Sequence, residues 1–142
     1  MDLQEILRWR QEAGGFNRHC GIQVTGIGEG TADVEVDVAP EMLNPIGMAH
    51  GGFIYTLCDV ASGTAAASRG RVAVTLSGVI NYLRPGRPSQ RLRARASEIK
   101  SGRKTAVYIV DVSDEEGKMI ATSTFTMFYT GQTVNDMQCL AD

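Results

Sequence analysis

The sequence predicts one α+β domain in which a curved antiparallel β-sheet wraps around one long central α-helix. Three observations carry that prediction. From Ile22 the side chains alternate with period 2, and residues 71–129 return to the same strand character. Between these regions, residues 52–68 run without a proline and are mostly apolar, so they read as a helix that must be covered on nearly all sides. At 142 residues the chain has the size of one domain, and a single sheet wrapped about that helix covers it economically.

In chain order, residues 1–14 form an amphipathic helix. Leu3, Ile6, Leu7 and either Trp9 or Arg10 fall on helical spacing, and Gly14-Gly15 ends it. Its Trp9 suits a lid or a tetramer contact. Val34, Val36 and Val38 alternate with Asp33, Glu35 and Asp37, after a turn at Gly28-Glu29-Gly30, which predicts a half-buried hairpin stopped by Pro40. Residues 44–52, NPIGMAHGG, are a turn-rich loop leading into the central helix, expected over 50–69. Four strands follow at 72–84, 90–100, 104–113 and 118–129, separated by Pro85-Gly86-Arg87-Pro88, Ser101-Gly102 and residues 114–117. From Gly131 to residue 142 little pattern remains, which predicts a flexible tail.

Composition excludes several function classes. The chain is 43% apolar and 21% charged, and no apolar run approaches the roughly 18 residues of a membrane span. The opening MDLQEILRWRQ has neither a basic leader nor a continuous apolar stretch, so a cytoplasmic location is expected. Cys20, Cys58 and Cys139 are too few and too scattered for a disulfide framework, which fits a reducing compartment. A net charge of −2 gives no overall pull toward nucleic acid or an anionic membrane. Arg91, Arg93 and Arg95 share one strand face and match the acidic face of Asp33, Glu35 and Asp37, so cross-strand ion pairs are their expected role.

The order Asn44, His50-Gly51-Gly52, then Asp59 followed by Ala61, Ser62, Gly63 and Ala65 resembles the PaaI-type hotdog acyl-CoA thioesterases of the 4-hydroxybenzoyl-CoA thioesterase-like superfamily. The resemblance continues through residues 81–86, Ser101-Gly102-Arg103 and the closing strand 121–129, and spans roughly residues 20–130. It implies a hotdog fold and hydrolysis of an aryl- or medium-chain acyl-CoA. Asn44, His50 and Gly51 of one protomer would face Asp59 of its partner, in a homodimer that pairs again as a homotetramer. Counting back ten positions from Pro85, it also implies that Thr75 helps position a water, on the same subunit as Asp59. A hotdog hydratase or dehydratase and a non-catalytic acyl-CoA sensor are the alternatives. The spacing from His50-Gly51-Gly52 to Asp59 stands against the first, and a sensor has no need of Asp59.

The residues fit that chemistry on their own terms. Thioester hydrolysis needs a donor for the carbonyl oxygen and a carboxylate that activates water or attacks directly. The Gly51 amide falls in the first turn of the central helix, where backbone N–H groups have no helical partner and the dipole is positive. Asp59 sits among Leu57, Cys58, Val60 and Ala61, where burial favours a raised carboxylate pKa. Gly51 and Asp59 are eight positions apart, about 12 Å along a helix, whereas a base works within about 3 Å of its proton. One chain's Asp59 therefore cannot serve its own Gly51, and a symmetric partner is required.

Other residues have plainer readings. His50 is expected to fix the loop, with a direct catalytic part as the alternative; Asn44 orients water or holds the loop; Cys58 packs. The only other histidine is His19, and no Cys, His, Asp and Glu cluster has ligand spacing, so neither metal nor bound redox cofactor is expected. Phe53, Ile54 and Leu57 are expected to wall the acyl pocket. Arg84, Arg87, Arg103 and Lys104 lie near strand ends without an acidic partner in sequence, which suits the phosphates of CoA.

Overall fold

The apolar segment forms one helix, and the alternating segments form one sheet around it. The computed structural model describes residues 1–138. Its elements are α1 (Leu3–Glu12), α2 (Gly15–His19), β1 (Gln23–Gly28), β2 (Thr31–Asp37), a 3-10 turn (Pro40–Met42), α3 (Gly51–Ala67), β3 (Arg71–Tyr82), β4 (Arg91–Ser101), β5 (Thr105–Ser113), β6 (Met119–Thr133) and α4 (Val134–Gln138). All strand pairs are antiparallel, in the order β1-β2-β4-β5-β6-β3. No described helix is long and apolar enough to cross a membrane.

The central helix α3 is buried on most of its circumference. Phe53, Leu57, Val60 and Ala61 pack with Val34, Leu92 and other inward side chains of the sheet. Gly52, Thr56, Asp59 and Gly63 are among its less covered residues. Their spacing of four, three and four places them on one stripe. The one acid of the helix is on the stripe that the sheet leaves open.

The facing charges of β2 and β4 pair as their alternation predicts. Asp33, Glu35 and Asp37 lie opposite Arg95, Arg93 and Arg91. Arg95 and Arg93 both reach Asp33, at 2.8 and 2.9 Å, and Arg91 reaches Asp37 at 3.1 Å. These exposed pairs contribute about 0–1 kcal/mol each.

β3 is the other edge of the sheet, and it exposes large apolar side chains among polar ones. Leu76 is 63% exposed and Val79 65%, with Val74 beside them. A twelve-residue edge strand that exposes Leu76 and Val79 is an invitation to pair with another chain.

Both ends of the chain depart from expectation. The first helix ends at Glu12 rather than 14, and Gly15 opens the short α2. A capping box between Asp2 and Glu5 starts α1. The segment from Gly131 is not a patternless tail over its described part: β6 runs on to Thr133, and α4 follows. Val134 is buried with Ile6 and Ala67, and its amide donates to the Gly70 carbonyl at 3.0 Å. A helix of five residues is too short to show a period. The rest of the expected tail, residues 139–142 with Cys139, lies outside the described residues.

Candidate active site

Gly51 and Asp59 sit on one helix but open into two different cavities. The first, about 390 Å³, is lined by Asn44, Gly51, Ile54, Tyr82 and Arg84. The second, also about 390 Å³, is lined by Arg10, Asp59, Gly63, Val74, Thr75 and Met127. One opens beside a first-turn helix amide and the other beside a carboxylate.

The first half-site is built around the start of α3. His50 is the N-cap, and its Nδ1 accepts the Gly52 amide at 2.9 Å. The Gly51 N–H, the first of the helix, has no acceptor among the described residues and is available to a ligand oxygen. The preceding loop is held by Asn44, whose Oδ1 accepts the amides of Ile46 and Met48, both at 3.1 Å. Of the two roles open to Asn44, holding the loop is the one its contacts show; its side-chain NH2 group remains for a ligand. Tyr82 donates its hydroxyl to the Gly51 carbonyl at 2.7 Å. Strand β3 thereby anchors the first turn of α3.

Three expected members stand elsewhere. The His50 ring faces a third cavity, with Phe16, His19 and Phe53, rather than the one that Gly51 opens into. Phe53 shares that position, whereas Ile54 lines the Gly51 cavity. Successive helix residues point about 100° apart, and in the single chain these two line different cavities. Leu57 is fully buried in the core and lines none of these cavities.

The second half-site is built where α3 meets β3. Thr75 Oγ1 donates to Asp59 Oδ1 at 2.5 Å, so the residue located by its register to Pro85 lies against the acid. Asp59 is half-buried rather than enclosed: one chain does not supply the burial that its apolar neighbours in sequence suggest. Beside it, Cys58 points into the core, and burial pushes its thiol up to about 12, as suits a packing residue.

The basic residues fall into two groups. Arg84 lines the Gly51 cavity and, with Arg87, a neighbouring open groove. Arg103 and Lys104 lie at the β4–β5 turn, level with the beginning of β3. Thr105 and Val74 share Phe128 as their partner in β6, and Arg71 donates to the carbonyls of Gly102 and Arg103. No single chain gathers all four.

Two site residues were not evident from the sequence. Tyr82 stands inside the segment 81–86, but its contact with Gly51 depends on how the sheet curves. Arg10 lies on the margin of the apolar face of α1, where a long cation ordinarily reads as solvated.

A family model described as the thioesterase superfamily matches residues 46–121. The acyl-coenzyme A thioesterase PaaI of Escherichia coli is 35% identical over 101 residues, 71% of this chain and 72% of that protein. The solved E. coli PaaI structure superposes with a TM-score of 0.89 at 29% identity, covering 92% of this chain and 95% of that one. A Streptococcus mutans protein solved with acetyl CoA is 38% identical, with a TM-score of 0.76, over 79% of this chain and 90% of that one. Two mutant structures of a hypothetical thioesterase from Streptococcus pneumoniae, 38% identical over 78% of this chain, carry alanine for an aspartate and for a threonine sixteen positions apart. The same separation divides Asp59 from Thr75. The sheet around one central helix is the hotdog fold. Since the family match takes in Gly51, Asp59, Thr75 and Tyr82 together, and relatives above 30% identity cover most of the chain, the chain belongs to the thioesterase superfamily.

Proposed function

We propose that the chain hydrolyses acyl-CoA thioesters to the carboxylate and free CoA thiol, at sites assembled between two subunits. The observation that carries this reading is the division of the chemistry along α3. The open Gly51 amide and the Asp59–Thr75 pair lie on one helix, about 12 Å apart in axial rise, in separate cavities. A partner joins them. A two-fold axis crossing β3 between Gly78 and Val79 sets Thr75 opposite Tyr82 of the partner subunit, so each Asp59 cavity meets the partner's Gly51 cavity. The same pairing covers Leu76 and Val79.

At such a site the thioester oxygen accepts from the Gly51 amide as negative charge develops on it. Asp59 of the other subunit takes the proton of an attacking water, or attacks the carbonyl carbon itself, and the CoA thiolate leaves. Thr75 holds the Asp59 carboxylate, while Asn44, His50 and Tyr82 hold the Gly51 turn. Every step is assigned to groups of the chain itself.

The antiparallel pairing also brings Arg103 and Lys104 of one subunit toward the Arg84 and Arg87 end of the other, which gives a composite cationic surface for the CoA phosphates. The acetyl CoA in the Streptococcus mutans relative supports a CoA ester as ligand. Cavities of about 390 Å³ suit an aryl or medium-chain acyl group. Outward apolar Ile99, Ile109 and Phe128 support pairing of two dimers into a homotetramer. The free, buried thiols of Cys20 and Cys58 fit a reducing cytoplasm.

The test is release of free thiol from a panel of acyl-CoAs by wild type and Asp59→Ala. Turnover by wild type and its near-complete loss in Asp59→Ala support the reading. Binding of CoA esters without turnover by wild type makes the chain a sensor, and equal rates in the two proteins remove Asp59 from the mechanism.

A further inference from the structure

The cavity at Asp59 contains a charge that the hydrolytic steps do not use. Arg10 reaches across from α1 and lies over Gly63, where a Cβ would stand 3.2 Å from its Nη2. The missing side chain at 63 admits the guanidinium. Arg10 Nε donates to Thr64 Oγ1 at 3.1 Å, and Nη2 to the Val60 carbonyl at 3.5 Å. Both acceptors are neutral. Nη1 has no acceptor, and Arg10 forms no ion pair, among the described residues.

An arginine in this setting is costly. A guanidinium stays charged, and a half-buried charge paired only with neutral oxygens leaves part of its desolvation uncompensated. Burial pushes the Arg10 pKa down from its ordinary value, and the Asp59 carboxylate pushes it back up. The two opposite charges thus face the same cavity without forming an ion pair. That space suits a second anion, one that pairs with Arg10 while Asp59 deals with the thioester.

The layout gives the length of that anion's carrier. Gly63 follows Asp59 by four residues, about one turn or 6 Å along α3, on the side away from Gly51. Gly63, Val74, Met127 and Arg10 line the same cavity as Asp59, so an acyl group with its carbonyl at Asp59 would have Arg10 at its far end.

We propose that Arg10 selects acyl-CoAs whose acyl chain ends in a second carboxylate about one helical turn, ~6 Å, from the thioester carbonyl, the class of medium-length dicarboxylic acid mono-CoA esters. This rests on the thioesterase reading and adds the substrate class to it. Arg10 is then a specificity-determining residue, its free Nη1 and Nη2 hydrogens meeting the carboxylate as a fork.

The experiment compares kcat/KM for adipyl-CoA and hexanoyl-CoA, which have the same carbon count and differ in the terminal carboxylate, on wild type, Arg10→Gln, Arg10→Lys and Gly63→Ala. Wild type is expected to favour adipyl-CoA by about tenfold or more, the scale of a charge-assisted hydrogen bond. Arg10→Gln lowers that ratio to near one, mainly through KM for adipyl-CoA, and Arg10→Lys restores part of it. Gly63→Ala also lowers the ratio, by displacing the guanidinium; since alanine favours helix over glycine, it keeps the test valid if Arg10→Gln fails to fold. A wild-type ratio at or below one, or a ratio unmoved by Arg10→Gln and Gly63→Ala, overturns the proposal while leaving the thioesterase reading intact. Turnover of neither ester, nor of any other acyl-CoA, defeats the thioesterase reading and this proposal with it.

Discussion

Thr75 on β3 donates its hydroxyl to the carboxylate of Asp59 on α3 at 2.5 Å, fixing the only acid of the central helix to the strand that forms the open edge of the sheet. The proposed catalytic pair and the proposed subunit seam therefore share one strand. Thr75→Val keeps the shape and removes the donor. A hydrogen bond to a charged group is worth about 1.5–3 kcal/mol, so kcat should fall about 10- to 100-fold, and Thr75→Ser should retain most of it. Steady-state thiol release on the three proteins checks this; an unchanged kcat in Thr75→Val would mean that the bond does not position Asp59.

Tyr82 acts on the other half of the site. Its hydroxyl holds the Gly51 carbonyl at 2.7 Å, and Tyr82→Phe removes that bond while keeping the ring. The expected result is a loss of about 0.5–1.5 kcal/mol in unfolding free energy, together with a lower kcat as the Gly51 amide loses its aim. Denaturant unfolding and kinetics on the same preparation read the two effects.

The apolar edge of β3 should be needed for assembly rather than for the fold of one chain. Leu76 is 63% exposed, so Leu76→Asp should change the stability of a single chain by only about 0.5 kcal/mol or less. It should nevertheless yield monomers in light scattering and abolish thiol release. An active monomer would contradict the shared site.

Stability should decline on the alkaline side. Burial pushes the Cys58 thiol from an ordinary 9.0 up to about 12, and pushes the Tyr108 phenol upward as well. Both groups are held neutral in the folded chain. Below pH 9.0 the thiol is protonated in folded and unfolded chains alike, and its stabilising contribution is complete. As pH rises further the unfolded chain ionises first, and the contribution is lost toward about 12. The unfolding midpoint should therefore fall between about pH 8 and about pH 10.5, and fall less steeply in Cys58→Ala and in Tyr108→Phe.

What was legible in the sequence follows from the range of each interaction. The central helix could be read because a proline-free apolar run of its length has one economical environment. The pairing of β2 with β4 could be read because their outward charges alternate with opposite sign and the same period. Thr75 was reached through a register, since side chains of a regular strand are fixed by counting. The residues that escaped depend on angles between elements. Tyr82 meets Gly51 only because the sheet curves toward the start of α3, and Arg10 meets Gly63 only because α1 crosses α3 there. Phe53 and Ile54 differ by one step of helix phase, which decides which cavity each enters and which composition does not encode. The α4 turn escaped because five residues cannot display a period.

The claim that one active site draws on two chains is tested most directly by mixing two inactive proteins. Asp59→Ala removes the acid. Gly51→Pro removes the amide at the first helical position, where proline is tolerated, and His50 before it is already extended, as a residue preceding proline must be. Co-expressed and purified by two different tags, the mixed dimer carries one intact site and one doubly defective site. A random mixture of the two chains should recover about one quarter of the wild-type thiol release per subunit, while each protein alone stays inactive. A mixture no more active than its parents would show that Gly51 and Asp59 of one chain serve the same site, and would contradict a site shared between subunits.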